Sequence, residues 1–153
     1  LRQEVTVAFP DRIERTIELA HPPERVWTAL TTAEGLAAWF GDHAEIDLRP
    51  GGAARVVWTD EDVDQRLRIE RVEEPRVFAF TWRIYGLPDD DPRRTLVEFT
   101  LESVPTGTRL HVVETGFAQL GPAEHATAHG GNTEGWNREL GDLAAHLDAP
   151  HAA

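Results

Sequence analysis

The chain has 153 residues, 41% of them hydrophobic and 27% charged, with a formal net charge of −12. That is enough for one soluble domain with a real core. All fifteen basic residues are arginine, and Lys, Cys and Met are absent, which excludes lysine Schiff bases, thiolate nucleophiles, disulfides and cysteine metal sites. The acid excess argues against nucleic acid as a partner. No apolar run approaches the roughly 20 residues of a membrane span. The opening "LRQEVTVAFPDR" lacks the basic and apolar regions of a signal peptide, so a cytoplasmic location is the default expectation.

In chain order, "RIERTIELA" alternates Ile13, Arg15, Ile17 and Leu19 on one face and predicts a first strand. "HPPERVWTAL" places prolines where a helix can begin, with Val26, Trp27 and Leu30 on its inner side. "TTAE" offers Thr31 as cap and Glu34 three positions later, a capping box that opens a second short helix toward Trp39 and Phe40. "AEIDL" and "ARVVWTD" then flank the turn "RPGGA". "QRLRIERVEE" and "RVFAFTWRI" flank Pro75, and "RTLVEFTLES" and "TRLHVVETGF" flank "VPTG". Short connections between these strands predict antiparallel pairing, giving seven strands with the first.

The segment "GPAEHATAHGGNTEGWNRELGDLAAHL" closes the core. Adjacent glycines cost about 1 kcal/mol each inside a helix. A short helical turn is therefore expected before a break near Gly130–Gly131, with the long helix starting at Asn132 or Thr133. Trp136, Leu140, Leu143, Ala144 and Leu147 share one face of that helix. A seven-stranded sheet has an apolar face that must be covered. One long helix lying across it covers that face incompletely and leaves a cavity.

With this order of elements, "AHPPERVWTALTTAEGLAAWF", "PGG", "FAFTW" and a late "GW" followed by spaced leucines resemble the START-like, birch-pollen-allergen-like helix-grip superfamily. Within it the chain is most similar to the domain named after the heat-shock-protein-90 ATPase activator, a branch related to polyketide cyclases. The resemblance spans roughly Ile13 to Leu147 of a chain read as a single domain from 1 to 153. It implies an α+β helix-grip fold: a curved antiparallel sheet wrapped around a C-terminal helix, with a deep cavity for lipids, polyketides, hormones or other hydrophobic molecules. The co-chaperone that gives the family its name carries a separate N-terminal domain, for which this chain is read as having no room. Fold alone does not license chaperone activation.

Aromatic side chains are the first candidates for a site. Phe78, Phe80 and Trp82 alternate on one strand face, Trp58 and Phe99 sit on other strands, and Trp39, Phe40, Phe117 and Trp136 flank them. Each could simply pack the core, whose energetics such rings dominate. A subset lining an unfilled part of the core would make a small-molecule pocket. Trp58, Phe80, Trp82, Phe99, Phe117, Trp136 and Leu140 are the proposed apolar walls. Arg15 and Glu114 fall on the inner face by alternation and are candidates to pair or to orient a ligand's polar group. Tyr85, the one tyrosine, is a candidate donor at the pocket mouth. His125 and His129 have i, i+4 spacing without the glutamate of the zinc-protease motif, and "GLPDDDPRR" lacks calcium-loop spacing. No metal or cofactor is assigned. Ser103, the one serine, stands outside any nucleophile-elbow context.

These readings favour non-catalytic binding of a small hydrophobic molecule. The alternatives are a cyclase or hydrolase of aromatic or polyketide-like substrates, which requires a pocket group titrating near neutrality, and a chaperone-associated interaction module. Ligand identity and oligomeric state, a homodimer among the alternatives, stay open.

Overall fold

The structure, a computed structural model, describes residues 11–150. The first ten residues, on which most of the signal-peptide reading rests, and the last three of the tail lie outside the described residues. The order is β1 (Arg12–Leu19), α1 (Pro23–Thr31), α2 (Ala33–Trp39), β2 (His43–Ile46), β3 (Ala53–Trp58), β4 (Val63–Glu73), β5 (Val77–Arg83), β6 (Arg94–Val104), β7 (Gly107–Thr115) and α3 (Pro122–Asp148). The strands form one antiparallel sheet in the order β1-β7-β6-β5-β4-β3-β2. This is the expected α+β helix-grip arrangement. Because β1 and β2 occupy opposite edges, the α1–α2 segment that joins them must cross the sheet.

Period-two patterning decides which sheet face meets the helices. Gln65, Leu67 and Ile69 on β4, Phe78, Phe80 and Trp82 on β5, Val97 and Phe99 on β6, and Leu110, Val112 and Glu114 on β7 are all buried. The other face carries cross-strand ion pairs such as Arg55–Asp64 at 2.7 Å and Arg109–Glu18 at 3.0 Å. Exposed pairs of this kind contribute little stability.

Helix α1 begins with a proline at its start and buries Val26, Trp27 and Leu30, with Trp27 edge-on to Phe78 at 6.3 Å. The α2 cap is one residue later than expected: Thr32 accepts from the Gly35 amide at 3.0 Å, whereas Thr31 Oγ1 donates back to the Trp27 carbonyl. Glu34 consequently sits one position too early to close a capping box.

The larger correction concerns α3, which runs unbroken from Pro122 to Asp148 through Gly130 and Gly131. Asn132 is thus an interior helical residue and not a cap. Burial of the helix face explains why the glycines do not end it. Ala128, Trp136, Leu140, Leu143 and Leu147 are buried at helical spacing, and each leucine contributes about 1.5–3 kcal/mol on transfer from water. That outweighs the roughly 1 kcal/mol each glycine costs. Helix α3 comes near β1, α1 and α2. It reaches β3 and β5 through the side chains described next. No described helix is long and apolar enough to cross a membrane.

Candidate functional site

A half-open cleft of about 230 Å³ lies between the middle of α3 and the β3–β5 part of the sheet. Its apolar wall is built around Phe40, the residue after α2. The Phe40 ring stacks on Trp82 at 5.8 Å and on Trp136 at 5.7 Å, and meets Trp58 edge-on at 4.9 Å. Trp82 and Trp136 in turn lie 6.0 Å apart. Four rings from a helix end, two strands and the long helix therefore converge on one wall. On the helix side, Gly131 and Gly135 contribute no side chain; a Cβ at Gly135 would meet nothing within 4 Å, and one at Gly131 would touch the Tyr85 ring at 3.4 Å.

Two carboxyl groups organise this wall. Glu114 on β7 is fully buried and accepts hydrogen bonds from four neutral side chains. Trp136 Nε1 reaches its Oε1 at 2.9 Å, Trp82 Nε1 and Thr95 Oγ1 reach Oε2 at 2.8 and 2.5 Å, and Asn132 Nδ2 spans both oxygens at 2.9 and 3.0 Å. A buried carboxyl group is costly unless its oxygens are matched by donors, and here each has at least two. The result is that Glu114 fixes the orientation of three residues that line the cleft without lining it itself.

Glu139 lines the cleft directly and is 6% exposed. Its Oε2 accepts from Trp58 Nε1 at 3.2 Å, and its Oε1 lies 3.6 Å from Arg138 Nε. Burial pushes its pKa up to about 7, against the opposing hydrogen bond from Trp58 and the charge of Arg138. Such a carboxyl group exchanges a proton near neutrality, which is what general acid–base chemistry requires of a side chain. Gln65 on β4 also lines the cleft; its Nε2 donates to the Arg83 carbonyl at 3.1 Å.

Of the residues proposed from sequence, Trp58, Trp82, Tyr85 and Trp136 line the cleft. Tyr85 is 51% exposed. Phe80, Phe99, Phe117 and Leu140 are buried in the core and do not line it, although Phe99 supports Trp136 edge-on at 5.7 Å. Arg15 and Glu114 are not paired with each other. Arg15 Nε donates to Asn137 Oδ1 at 2.8 Å on the exposed side of α3. His125 and His129 do share a helix face, with Phe117 packed against both at 6.2 and 5.4 Å. Among the described residues no group of three ligating side chains forms a metal site.

Sequence reasoning missed Gln65, Asn132, Glu139 and the central role of Phe40. Signals existed for two of them. Gln65 alternates with Leu67 and Ile69, and Glu139 follows Trp136 by three residues on the buried helix face. Asn132 was hidden by the expected helix break.

Several solved structures share the fold. MLL2253 from Mesorhizobium loti is 26% identical, with a TM-score of 0.78 over 92% of this chain and 99% of that one. DynU16, a protein from the dynemicin biosynthetic locus, is 25% identical with a TM-score of 0.75; the match spans 92% of this chain and 48% of DynU16. CalU16 from Micromonospora echinospora is 23% identical with a TM-score of 0.64, covering 90% of this chain and 74% of that one. No curated protein matches the chain in sequence. The family model described as Activator of Hsp90 ATPase homolog 1-like protein matches residues 20–148, and the chain belongs to that family.

Proposed function

We propose that the protein binds a small, ring-bearing, largely apolar molecule in the cleft between α3 and the sheet. The observation that carries this reading is the convergence of Phe40, Trp58, Trp82 and Trp136 on one half-open cavity. The fourfold hydrogen bonding of Glu114 holds two of those indoles in place before any ligand arrives, and such preorganisation lowers the cost of binding. A mostly apolar, largely preformed concavity with a few placed polar groups is the usual form of a small-molecule site. The similarity to DynU16, from a biosynthetic locus, supports a small-molecule ligand over a protein partner.

The test is a comparison of wild type with Gly135→Leu, using uncharged bicyclic aromatic probes in isothermal titration calorimetry. Leucine is a better helix former than glycine, so the variant fills the cleft without weakening the helix. Binding weakened at least about tenfold in the variant is expected. Equal binding by both proteins sinks the proposal.

Glu139 favours a second reading, an enzyme that uses this carboxyl group as acid or base on a bound substrate, since it lines the cleft with a pKa of about 7. Under that reading, a ligand co-purified with Glu139→Gln would be recovered unchanged, and wild type would convert it to a product of different mass or retention. Recovery of the same unchanged molecule from both proteins retires the enzyme reading and leaves the binding one.

A further inference from the structure

The cleft offers the polar group of a ligand few free side-chain donors. The indole N–H of Trp58 is taken by Glu139, those of Trp82 and Trp136 by Glu114, and Asn132 Nδ2 also donates to Glu114. Gln65 Nε2 is held by the Arg83 carbonyl. Among the described residues the neutral donor left on the wall is the Tyr85 hydroxyl, at the exposed rim, and a phenol oxygen accepts as well as donates. The acceptor side is different. The Glu139 side chain is 8% exposed and lines the cleft, and both side chains that its carboxyl group meets, Trp58 and Arg138, line it as well. Trp58 occupies Oε2, whereas Oε1 accepts no hydrogen bond, with Arg138 Nε 3.6 Å away. The described side-chain atoms that are buried without a partner are Gln65 Oε1 and Arg83 Nε. Glu139 Oε1 is therefore an accessible acceptor, and the opening beside it is the cleft.

Charge points the same way. Glu61, Glu134 and Glu139 line the cleft, and among the described residues Arg138 is the single cation on its wall. Arg138 is itself engaged, with NH2 3.3 Å from Glu61 Oε1 and Nε 3.6 Å from Glu139 Oε1. An anionic ligand would meet surplus carboxyl groups and a guanidinium already shared between two of them. A cationic donor would meet an unmatched carboxyl oxygen, and such a charge-assisted hydrogen bond is roughly twice as strong as a neutral one. The wall suits a cation too, because indole and phenyl rings attract cations where aliphatic side chains do not. The formal net charge of −12 adds a long-range attraction.

We infer that the ligand of this cleft is a ring-bearing ammonium cation, its rings against the wall of Phe40, Trp58, Trp82 and Trp136 and its protonated amine donating to Glu139 Oε1. The inference rests on the proposed cleft binding and narrows it to a chemical class. An arylalkylamine fits; an aryl carboxylate does not. A cation at Oε1 offsets the burial that raises the Glu139 pKa to about 7, so ligand and site stabilise each other's charge.

The experiment uses three probes on one ring system: 2-naphthylmethylamine, 2-naphthylmethanol and 2-naphthylacetate. Each is titrated calorimetrically into wild type and Glu139→Gln at about pH 8, where the amine is a cation and Glu139 is mostly ionised. Salt at about 0.15 M screens the exposed acids. In wild type, the amine is expected to bind at least about tenfold more tightly than the alcohol, the size of one hydrogen bond to a charged group, and the acetate more weakly than either. In Glu139→Gln, amine and alcohol should converge to within about threefold while the alcohol keeps its wild-type affinity. The wild-type ranking decides the matter even where the variant fails to fold. Equal binding of amine and alcohol, or tightest binding of the acetate, overturns the inference and leaves the cleft as a general ring-binding site. A tenfold preference for the amine that survives in folded Glu139→Gln overturns it as well, because the charge would then be read by the protein's overall field and not at Oε1. Binding of none of the three overturns the cleft reading and the inference with it.

Discussion

Trp136 Nε1 donates to Glu114 Oε1 at 2.9 Å, which ties the middle of α3 to β7. The long helix is thereby registered against the sheet by a directional bond as well as by apolar packing, which is tolerant of small slips. Asn132, one helical turn earlier, donates to the same carboxyl group. Removing it with Glu114→Ala leaves the Trp136 indole and the Asn132 amide without that acceptor and opens a void. A loss of at least about 3 kcal/mol is expected from unmatched buried donors and the cavity together. Urea denaturation would measure it, and a change under about 1 kcal/mol would mean that water replaces the carboxyl group at no net cost. Glu114→Gln should fall between, since its amide supplies one acceptor and presents a donor to other donors.

The glycines of α3 separate stability from binding. A Cβ at Gly135 or Gly141 meets nothing within 4 Å, but Gly135 lines the cleft and Gly141 does not. Both Gly135→Ala and Gly141→Ala should stabilise the protein by about 0.5–1 kcal/mol through helix propensity. Binding of a bicyclic aromatic should weaken in Gly135→Ala and stay at the wild-type level in Gly141→Ala. Thermal melts with and without probe would read both effects. Weakened binding in both variants would mean that rigidity of the helix, and not space in the cleft, controls affinity.

The glycines also show where sequence reading stopped. Strand alternation and the Trp136–Leu147 helix face were legible, and with them the sheet, its covering helix and the cavity between them. That held because apolar periodicity is a local property of the chain. Gly130 and Gly131 looked like a helix end because propensity is local too, whereas the burial that carries α3 through them depends on a sheet far away in sequence. Trp58, Trp82 and Trp136 could be picked for the site because bulky rings on an inner face must either fill the core or line what is unfilled. Which rings do which could not be read, since Phe80 shares the inner face of β5 with Trp82, and Phe99 shares the inner face of the sheet but stands on β6, which contributes nothing to the cleft. Glu139 sat in view beside Leu140, but its proximity to Trp58, 81 positions away, is a property of the fold.

Trp58 sets the environment of Glu139, so the indole should be visible in the titration of the acid. Trp58→Phe keeps a ring in the wall and removes the N–H that donates to Glu139 Oε2 at 3.2 Å. That hydrogen bond holds the pKa down against burial, so its loss should raise the value above about 7. Chemical-shift titration of the Glu139 carboxyl carbon would follow it. An unchanged or lower value in the variant would show that the indole does not stabilise the ionised form.

The same titration has a stability consequence whose sign is opposite to that of an ordinary paired carboxylate. Glu139 has a folded pKa of about 7 against an ordinary value of 4.5. Between these values the folded chain holds a proton that the unfolded chain has released, so stability falls as pH rises. The contribution of the protonated acid is fully present below about pH 4.5 and is lost as pH climbs through about 7. A shift of this size corresponds to roughly 3 kcal/mol across the window, at 1.36 kcal/mol per pH unit. Glu139→Gln carries no such proton, so its stability, measured by urea denaturation at a series of pH values, should lack this decline. Relative to wild type the variant should therefore gain stability between about pH 4.5 and pH 7. Parallel profiles for the two proteins would mean that Glu139 ionises in the folded chain as freely as in the unfolded one. The cleft would then hold a carboxylate at neutral pH, and with it the acid–base reading would lose its one supporting group.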